Sequence, residues 1–285
     1  MLSKIRSYLP RPFRDEKTVI PVVRLQGAIG GGGPLRTALS LATAAMPLER
    51  AFSVKKAPAV ALIVNSPGGS PVQSRLIFKR IRDLAKENEK DVLVFVEDVA
   101  ASGGYMIAVA GDEIFVDPSS VVGSIGVVAA GFGFTEMIKK IGVDRRVYTA
   151  GEKKVILDPF QPEVPEDIEY LKSLQLEIHE TFIDLVKSRR SDVLADDADL
   201  FSGKFWTGRT AIELGLADAI GDLRGVVRER YGDKAEPKLI SAPRGLFGRK
   251  AGVGIGRSGS RLIEGLGEDL MSSVEERAMW MRYGL

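Results

Sequence analysis

A single serine, Ser102, stands between two alanines and two glycines in the stretch EDVAASGGYMIAVAGD, residues 97–112. The stretch begins at the end of the apolar run DVLVFV, which predicts a strand, and SGGYMIAVAG predicts a short helix closed by Gly111. Small residues let another backbone approach closely, and a helix start offers free N–H groups. Ser102 is therefore either the N-cap of this helix or an exposed nucleophile.

The stretch IVNSPGGS, residues 63–70, offers backbone donors for an oxyanion. Gly68 and Gly69 follow the pattern of a buried strand, and their N–H groups can approach a substrate carbonyl because no side chain blocks it. One N–H from this loop and one from Gly103 would match the geometry of acyl transfer. The alternative is an ordinary Pro-Gly turn.

A serine nucleophile also needs a general base. His179, the one histidine, lies in the middle of a long charged helix with no carboxylate obviously placed to orient it, so we expect a surface or boundary residue. Lysine is the known substitute, provided that desolvation in a buried loop lowers its pKa toward neutral. The stretch YTAGEKKVILDPFQP, residues 148–162, offers Lys153 and Lys154, and spacing alone does not choose between them.

The elements that must position these residues alternate between strand and helix patterns. Continuous apolar runs such as LIV and VLVFV predict strands covered on both faces, and the alternation predicts an α/β fold with a mostly parallel sheet. We also predict a strand over VDRRVYTAG (143–151), a long helix over 166–190 and a helix over FWTGRTAIELGLADAIGD (205–222).

Composition excludes several classes of function. The chain has 285 residues with a net charge of +2. It lacks the compact basic stripe with interleaved aromatic residues that would predict binding to nucleic acid. It has no cysteine and one histidine, which excludes disulfides, thiolate metal sites and a histidine-rich metal site. The chemistry proposed for Ser102 needs no metal or cofactor.

The ends of the chain differ in composition from its middle. We predict a basic N-terminal arm over 1–16, a catalytic domain over 17–241, and a Gly/Arg linker with a C-terminal amphipathic helix over 242–285. No stretch reaches the roughly 18 consecutive apolar residues of a spanning helix, and the N-terminus lacks the apolar core of a signal peptide. We therefore expect a cytoplasmic protein, either free or peripheral at the inner face of the membrane.

Four segments in order resemble signal peptide peptidase A and its relatives: NSPGG, AASGGYMIAVAGDEIFVDPSSVVGSIGVV, AGEKKVILDPFQP and FSGKFWTGRTAIELGLADAIGD. The resemblance covers about residues 18 to 225. It implies a Clp-protease/crotonase-like fold of repeated β-β-α units, with a mostly parallel sheet flanked by helices. It also implies a serine endopeptidase with a Ser-Lys dyad, acting on extended or membrane-derived peptides such as signal peptide remnants.

The resemblance assigns roles residue by residue. It makes Ser102 the nucleophile, and the family's G-x-x-K-x-x-x-x-P pattern, matched by Gly151 and Pro159, selects Lys154 as the base. Ser124 in GSIGV matches a serine that orients the lysine; the alternative is a turn serine bonded to local backbone. Gly68, Gly69 and Gly103 fall at the oxyanion positions.

Two other functions stay open at this point. A crotonase-like enzyme acting on a coenzyme A thioester could use the same glycine N–H groups to stabilise an enolate; Glu97 and Asp98 are the carboxylates nearest the serine. A non-catalytic scaffold is the other alternative. Because relatives assemble into rings or domes, we also predict a homo-oligomer, with the C-terminal apolar stripe packing on a neighbour, on its own domain or on a membrane.

Overall fold

A computed structural model describes residues 17–30, 38–241 and 273–285. Within them, eight strands form one sheet in the order β6-β5-β3-β2-β1-β8, with β4 and β7 continuing from one end of β3. All neighbouring pairs are parallel except β5 and β6. The strands are β1 Val19–Gln26, β2 Ala59–Ser66, β3 Asp91–Ala101, β4 Glu113–Val116, β5 Val121–Gly123, β6 Phe205–Thr207, β7 Ala219–Ile220 and β8 Glu236–Leu239.

Helices connect the parallel strands and cover the sheet. They are α1 Leu41–Phe52, α2 Pro71–Asn88, α3 Gly103–Ala108, α4 Thr135–Lys140, α5 Pro165–Arg190, α6 Gly208–Glu213 and α7 Leu223–Tyr231. Residues 273–281 form a further helix, called here the C-terminal helix. Across the described ranges, none of the helices combines the length and the apolar character that crossing a bilayer requires.

The central strand β2 explains why the sheet is buried on both faces. Every residue of β2 is buried, as the apolar run ALIV predicts. Alternate residues point to opposite faces, so Leu62 and Val64 join the larger core cluster while Ala61 and Ile63 join the smaller one. Burying one such aliphatic side chain contributes about 1.5–3 kcal/mol to the free energy of unfolding. The α/β architecture with a mostly parallel sheet is therefore confirmed.

Two predictions of secondary structure are wrong. Residues 144–150 form no strand; Val147 and Tyr148 are exposed there, and no strand in the described part of the chain pairs with them. The segment 205–222 is a short strand, a helix of six residues and a second short strand. The long helix is confirmed over Pro165–Arg190.

The predicted domain limits fall partly outside the described residues. The N-terminal arm over 1–16 and the linker within 242–272 lie outside them, so both stay predictions. The described part of the C-terminal segment is helical, and it packs on the chain's own sheet domain through contacts given below.

Candidate active site

Ser102 and Ser124 lie side by side at the ends of two parallel strands. Ala101 of β3 pairs with Gly123 of β5, so Ser102 and Ser124 directly follow paired residues at the ends of adjacent strands. The amide of Ser102 donates to the carbonyl of Gly123 at 2.8 Å. The sheet thus brings together the predicted nucleophile and the serine predicted to orient its base.

Gly68 lies on the other side of Ser102. Ser66 of β2 pairs with Ala100 of β3, and two residues further along the same register Gly68 faces Ser102. A Cβ built on Gly68 would lie 2.8 Å from the Cβ of Ser102 and 2.9 Å from the amide nitrogen of Gly103. Gly68 also has a φ of +101°, which side chains disfavour. A glycine is therefore required for the loop to pass this close to the serine.

The hydroxyl of Ser102 does not cap the helix. Ser102 occupies the N-cap position of α3, yet its side chain makes no capping hydrogen bond, and no other hydrogen bond to its Oγ is found within the described part of the chain. Its φ is 52° and its ψ is −123°, a conformation that non-glycine residues rarely adopt and that is common at functional sites. Ser102 is therefore the N-cap residue by position only, and its half-buried hydroxyl is available for chemistry.

Positive φ values also occur at two other non-glycine residues in segments that carry predicted site residues. Ser124 has a φ of 52°, and Leu157, in the loop that carries the two candidate lysines, has a φ of 57°. Glu89, with a φ of 51°, is an ordinary left-handed C-cap of α2. Strain at Ser102, Ser124 and Leu157 has no such helix-ending explanation, which supports a functional role for these loops.

Two of the three candidate oxyanion donors have free N–H groups. The amide of Gly68 donates to the Oγ of Ser66 at 3.2 Å, whereas no acceptor within the described residues is found for the amides of Gly69 and Gly103. The amide of Ser70 donates to the carbonyl of Ile29 at 2.7 Å. Because amides alternate in direction along an extended segment, the N–H of Gly69 points away from Ile29. Gly69 and Gly103 are therefore the better pair of donors.

The two glycines after Ser102 are also required by packing. A Cβ on Gly103 would lie 2.3 Å from the Oγ of Ser74, and a Cβ on Gly104 would lie 2.4 Å from the carbonyl oxygen of Ser66. Further along α3, Tyr105 is fully buried and donates to the carbonyl of Leu216 at 2.9 Å. Burial raises the pKa of Tyr105, which keeps the hydroxyl neutral. These contacts fix the start of α3, and with it Ser102.

Gly69→Ala should destabilise the protein by about 2–4 kcal/mol. Its φ is +138°, and an added Cβ would lie 2.1 Å from the carbonyl oxygen of Ile29, so the loop that carries the donors must move. Thermal unfolding measures this loss. Gly133→Ala is the matched control, since nothing lies within 4 Å of its Cβ position; equal melting temperatures for the two variants would contradict the described loop.

Ser124 is buried and bonded to a distant part of the chain. Its exposed fraction is 6%, its amide donates to the carbonyl of Lys204 at 2.7 Å, and its Oγ lies 3.3 Å from the hydroxyl of Tyr283, which donates to it. The interpretation as a turn serine bonded to local backbone finds no support in these contacts. The role of Ser124 in orienting a lysine stays a prediction.

The C-terminal helix reaches this site on the chain's own domain. The ring of Tyr283 contacts the ring of Phe205 edge-on at 5.0 Å, and the carboxylate of Glu276 accepts from the amide of Ala28 at 3.5 Å. The sequence predicted an amphipathic helix here but gave no sign of which surface it covers, since Tyr283 and Ser124 are 159 residues apart.

The loop with the candidate lysines lies on an exposed arm, defined here as residues 128–164. Lys153 and Lys154 are both exposed in the single chain, which differs from the buried loop expected from the sequence. Lys153 pairs with Asp167 at 3.0 Å. No hydrogen bond joins Lys154 to Ser102 among the described residues. Within the described residues, the single chain therefore shows no hydrogen bond between the two members of the predicted dyad.

His179 supports the loop after Ser124. Its Nε2 lies 3.0 Å from the carbonyl oxygen of Ile125, so the ring donates to backbone from α5. A nitrogen used in this way does not serve as a base for Ser102. The expectation of a surface or boundary residue is consistent with this contact.

A mostly parallel sheet, with a strained serine where a strand passes into a helix and with glycine N–H groups beside it, places the protein in the class of Clp-protease/crotonase-like folds. The family model of peptidase family S49 matches residues 84–235. The match covers more than half of the chain and includes Ser102, Ser124 and Lys154. The chain belongs to peptidase family S49.

The names of similar proteins are of two kinds, protease and antiporter. A putative protease of Methanocaldococcus jannaschii is 33% identical over 239 residues, which is 80% of this chain and 74% of that protein. The chloroplastic serine protease SPPA of Arabidopsis thaliana is 34% identical over 209 residues, 72% of this chain and 31% of that protein. A Brucella abortus protein named Na(+)/H(+) antiporter NhaA is 63% identical over 287 aligned residues. That match covers 99% of this chain and 39% of the Brucella protein, so the chain spans about two fifths of that relative's length.

Proposed function

We propose that this chain is a serine endopeptidase in which Ser102 attacks a peptide carbonyl. The observation that carries the proposal is Ser102, whose backbone is strained and whose half-buried hydroxyl has no partner in the described part of the chain. The N–H groups of Gly69 and Gly103, which also have no acceptor there, belong to the loop and the helix start that flank it. The family match supports the proposal because the matched residues include Ser102. The antiporter name of the Brucella relative adds nothing to this chain, since most of that protein lies outside the match.

The proposed reaction has two steps. In the first, Ser102 Oγ bonds to the carbonyl carbon, its proton passes to the leaving amine by way of the base, and the peptide C–N bond breaks. The amides of Gly69 and Gly103 stabilise the negative charge on the carbonyl oxygen. In the second, water attacks the ester, the acid product leaves and Ser102 regains its proton.

Lys154 is the proposed base, with Ser124 as its orienting partner. Because the single chain leaves Lys154 exposed, we propose that a neighbouring copy brings the arm of one chain to the Ser102 of another. Covering the lysine would disfavour its ammonium form and so favour the neutral amine that a base requires. Lys153 is less suited, because it already pairs with Asp167.

The exposed arm is well built for contact with a second copy. It is held together by its own contacts, since Phe134 packs on Phe160 at 5.5 Å and Arg145 pairs with Asp158 at 2.8 Å. Large apolar side chains on it are exposed: Val128, Phe132, Met137, Ile141, Val143, Val147, Tyr148, Val155 and Val164. A group of this size is typical of an interface between proteins.

We expect a homo-oligomer whose assembly does not depend on the C-terminal helix, because that helix packs on its own domain through Tyr283 and Glu276. Light scattering at micromolar concentration on the full chain and on a chain ending at Ser241 should give the same oligomer. Tyr148→Asp, on the arm, should reduce the mass of the particle. A monomeric full chain with full peptidase activity would contradict the proposal.

Extended peptides, including membrane-derived peptides such as signal peptide remnants, are the proposed substrates. The coenzyme A alternative needs free carboxylates near the glycine loops. Glu97 instead pairs with Arg24 at 2.7 Å, and Asp98 accepts from Asn65 at 2.7 Å. A fluorophosphonate probe followed by mass spectrometry tests the nucleophile directly: modification at Ser102 supports the peptidase, and its absence in an active protein would contradict it.

A further inference from the structure

Strand β3 contains a bulge just before the nucleophile. Val64 of β2 pairs with Val96 of β3, and the next pair is Ser66 with Ala100. Strand β2 advances by two residues in this interval while β3 advances by four. Two extra residues are therefore accommodated in β3, within residues 97–99.

The bulge sets the serine beside the oxyanion loop. If the pairing of Val64 with Val96 continued without interruption, Gly68 would face Ala100, and Ser102 would lie two residues further on, about 6–7 Å away. With the bulge, Gly68 faces Ser102, and a Cβ on Gly68 would lie 2.8 Å from the Cβ of Ser102. The alignment of nucleophile and donors therefore depends on two extra residues staying in place.

The side chain of Asn65, on the neighbouring strand β2, forms hydrogen bonds with residues of the bulge. Its side-chain oxygen accepts from the amide of Val99 at 3.2 Å, and its side-chain nitrogen donates to the carboxylate of Asp98 at 2.7 Å. Asn65 is 6% exposed, so water does not readily replace it. An amide is suited to this position because it accepts from one partner and donates to the other.

Two further side chains form hydrogen bonds with Glu97, the first residue of the bulge. Arg24 of β1 forms a two-bond pair with the carboxylate of Glu97, at 2.7 and 3.0 Å. Ser120, which is 2% exposed and precedes β5, donates to the carbonyl of Glu97 at 2.6 Å. The two carboxylates before the serine therefore have structural partners. Ser120 bonds to the backbone of the bulge at Glu97, whereas Asn65 bonds both to its backbone at Val99 and to the side chain of Asp98.

We infer that Asn65 is a positioning residue of the peptidase site: its bonds to Val99 and Asp98 hold the bulge that aligns Ser102 with the N–H groups of Gly69 and Gly103. The inference rests on the proposed function for its effect on catalysis. The bond to the bulge itself rests on the geometry alone.

The test is an exchange of the two side chains. Asn65→Asp removes the donor and sets a second carboxylate against Asp98, so the bulge should shift; kcat should fall about 100-fold while KM changes little. The double variant Asn65→Asp/Asp98→Asn restores the bond between residues 65 and 98 with donor and acceptor exchanged, and residue 65 keeps an oxygen that accepts from the amide of Val99. It should regain activity to within about threefold of the original chain. Asn88→Asp makes the same chemical change at the end of α2, where the side chain donates to the carbonyl of Leu84, and should keep full activity.

Each outcome decides the inference. A folded Asn65→Asp protein with the original kcat would overturn it, and so would an inactive or unfolded double variant. Hydrogen exchange of a peptide spanning 97–103 gives a readout independent of activity: exchange should be faster in Asn65→Asp and should return to the original rate in the double variant. An original chain without peptidase activity would remove the proposed function, and the exchange rates would still decide whether Asn65 holds the bulge.

Discussion

Ser102→Ala should abolish peptide cleavage and leave the fold intact. The change removes one oxygen that makes no hydrogen bond to the described part of the chain, so stability has little to lose. The change removes the proposed nucleophile, so kcat for peptide cleavage should fall on the order of 10⁴-fold or more. Cleavage of a peptide library by the original and the variant protein measures the effect, with circular dichroism as the check on folding.

A matched control lies nearby. Ser119→Ala makes the same chemical change at an exposed turn serine, and it should cleave the library at the original rate. A Ser102→Ala protein that is folded and still cleaves would remove Ser102 as the nucleophile. A Ser119→Ala protein that also fails to cleave would show that the assay reports general damage to the protein.

The buried core of the sheet follows from local sequence. The runs in β2 and β3 are apolar at every position that the two core clusters need, so a strand covered on both faces could be predicted without knowing its neighbours. The spacing of Val72, Ile77, Ile81 and Leu84 likewise predicts one apolar face of helix α2; Ile77, Ile81 and Leu84 are buried there, whereas Val72, in the first turn, is exposed. Both patterns depend only on residues close in sequence, and the prediction is confirmed for the strands and for all of this helix face except Val72.

There is a physical reason why the strand predicted over 143–151 does not form. Its apolar residues Val143, Val147 and Tyr148 suggested a buried extended segment, but all three are exposed in the single chain. A strand needs a neighbour with free backbone groups, and no strand within the described residues pairs with this segment. Apolar residues that meet another chain produce the same pattern as residues in a core, and one sequence does not separate the two.

The site could be predicted only as far as residue types allow. Small residues around Ser102 and glycines after β2 indicated a nucleophile and its donors, and the structure brings Gly68, Ser102 and Ser124 into one row. The role of Asn65 was not predictable, although NSPGG contains it, because a bulge is a property of the pairing between two strands. The contact between Tyr283 and Ser124 depends on how distant segments pack, which no local pattern records.

Lys154→Ala should be as damaging as Ser102→Ala, whereas Lys153→Ala should be mild. A nucleophile and its base act as one unit, so the loss of either costs about the same activity. Lys153 instead contributes a part-buried ion pair with Asp167, so its loss should affect stability more than catalysis. Peptide cleavage by the two variants at equal concentration compares them. If Lys153→Ala were the inactive variant, the position selected by Gly151 and Pro159 would be wrong.

Mixing two inactive chains gives the strongest test of where the base comes from. A Ser102→Ala chain keeps its lysine and a Lys154→Ala chain keeps its serine, so an oligomer containing both has complete sites only if Lys154 reaches the Ser102 of another copy. The two proteins should therefore regain cleavage when they are mixed under conditions that allow exchange of subunits, while each stays inactive alone. The double variant Ser102→Ala/Lys154→Ala, mixed with the Lys154→Ala chain, is the control and should restore nothing, since neither chain then carries the lysine. Mixed oligomers that form, as light scattering and mass spectrometry would show, and yet stay inactive would place the base of Ser102 within its own chain.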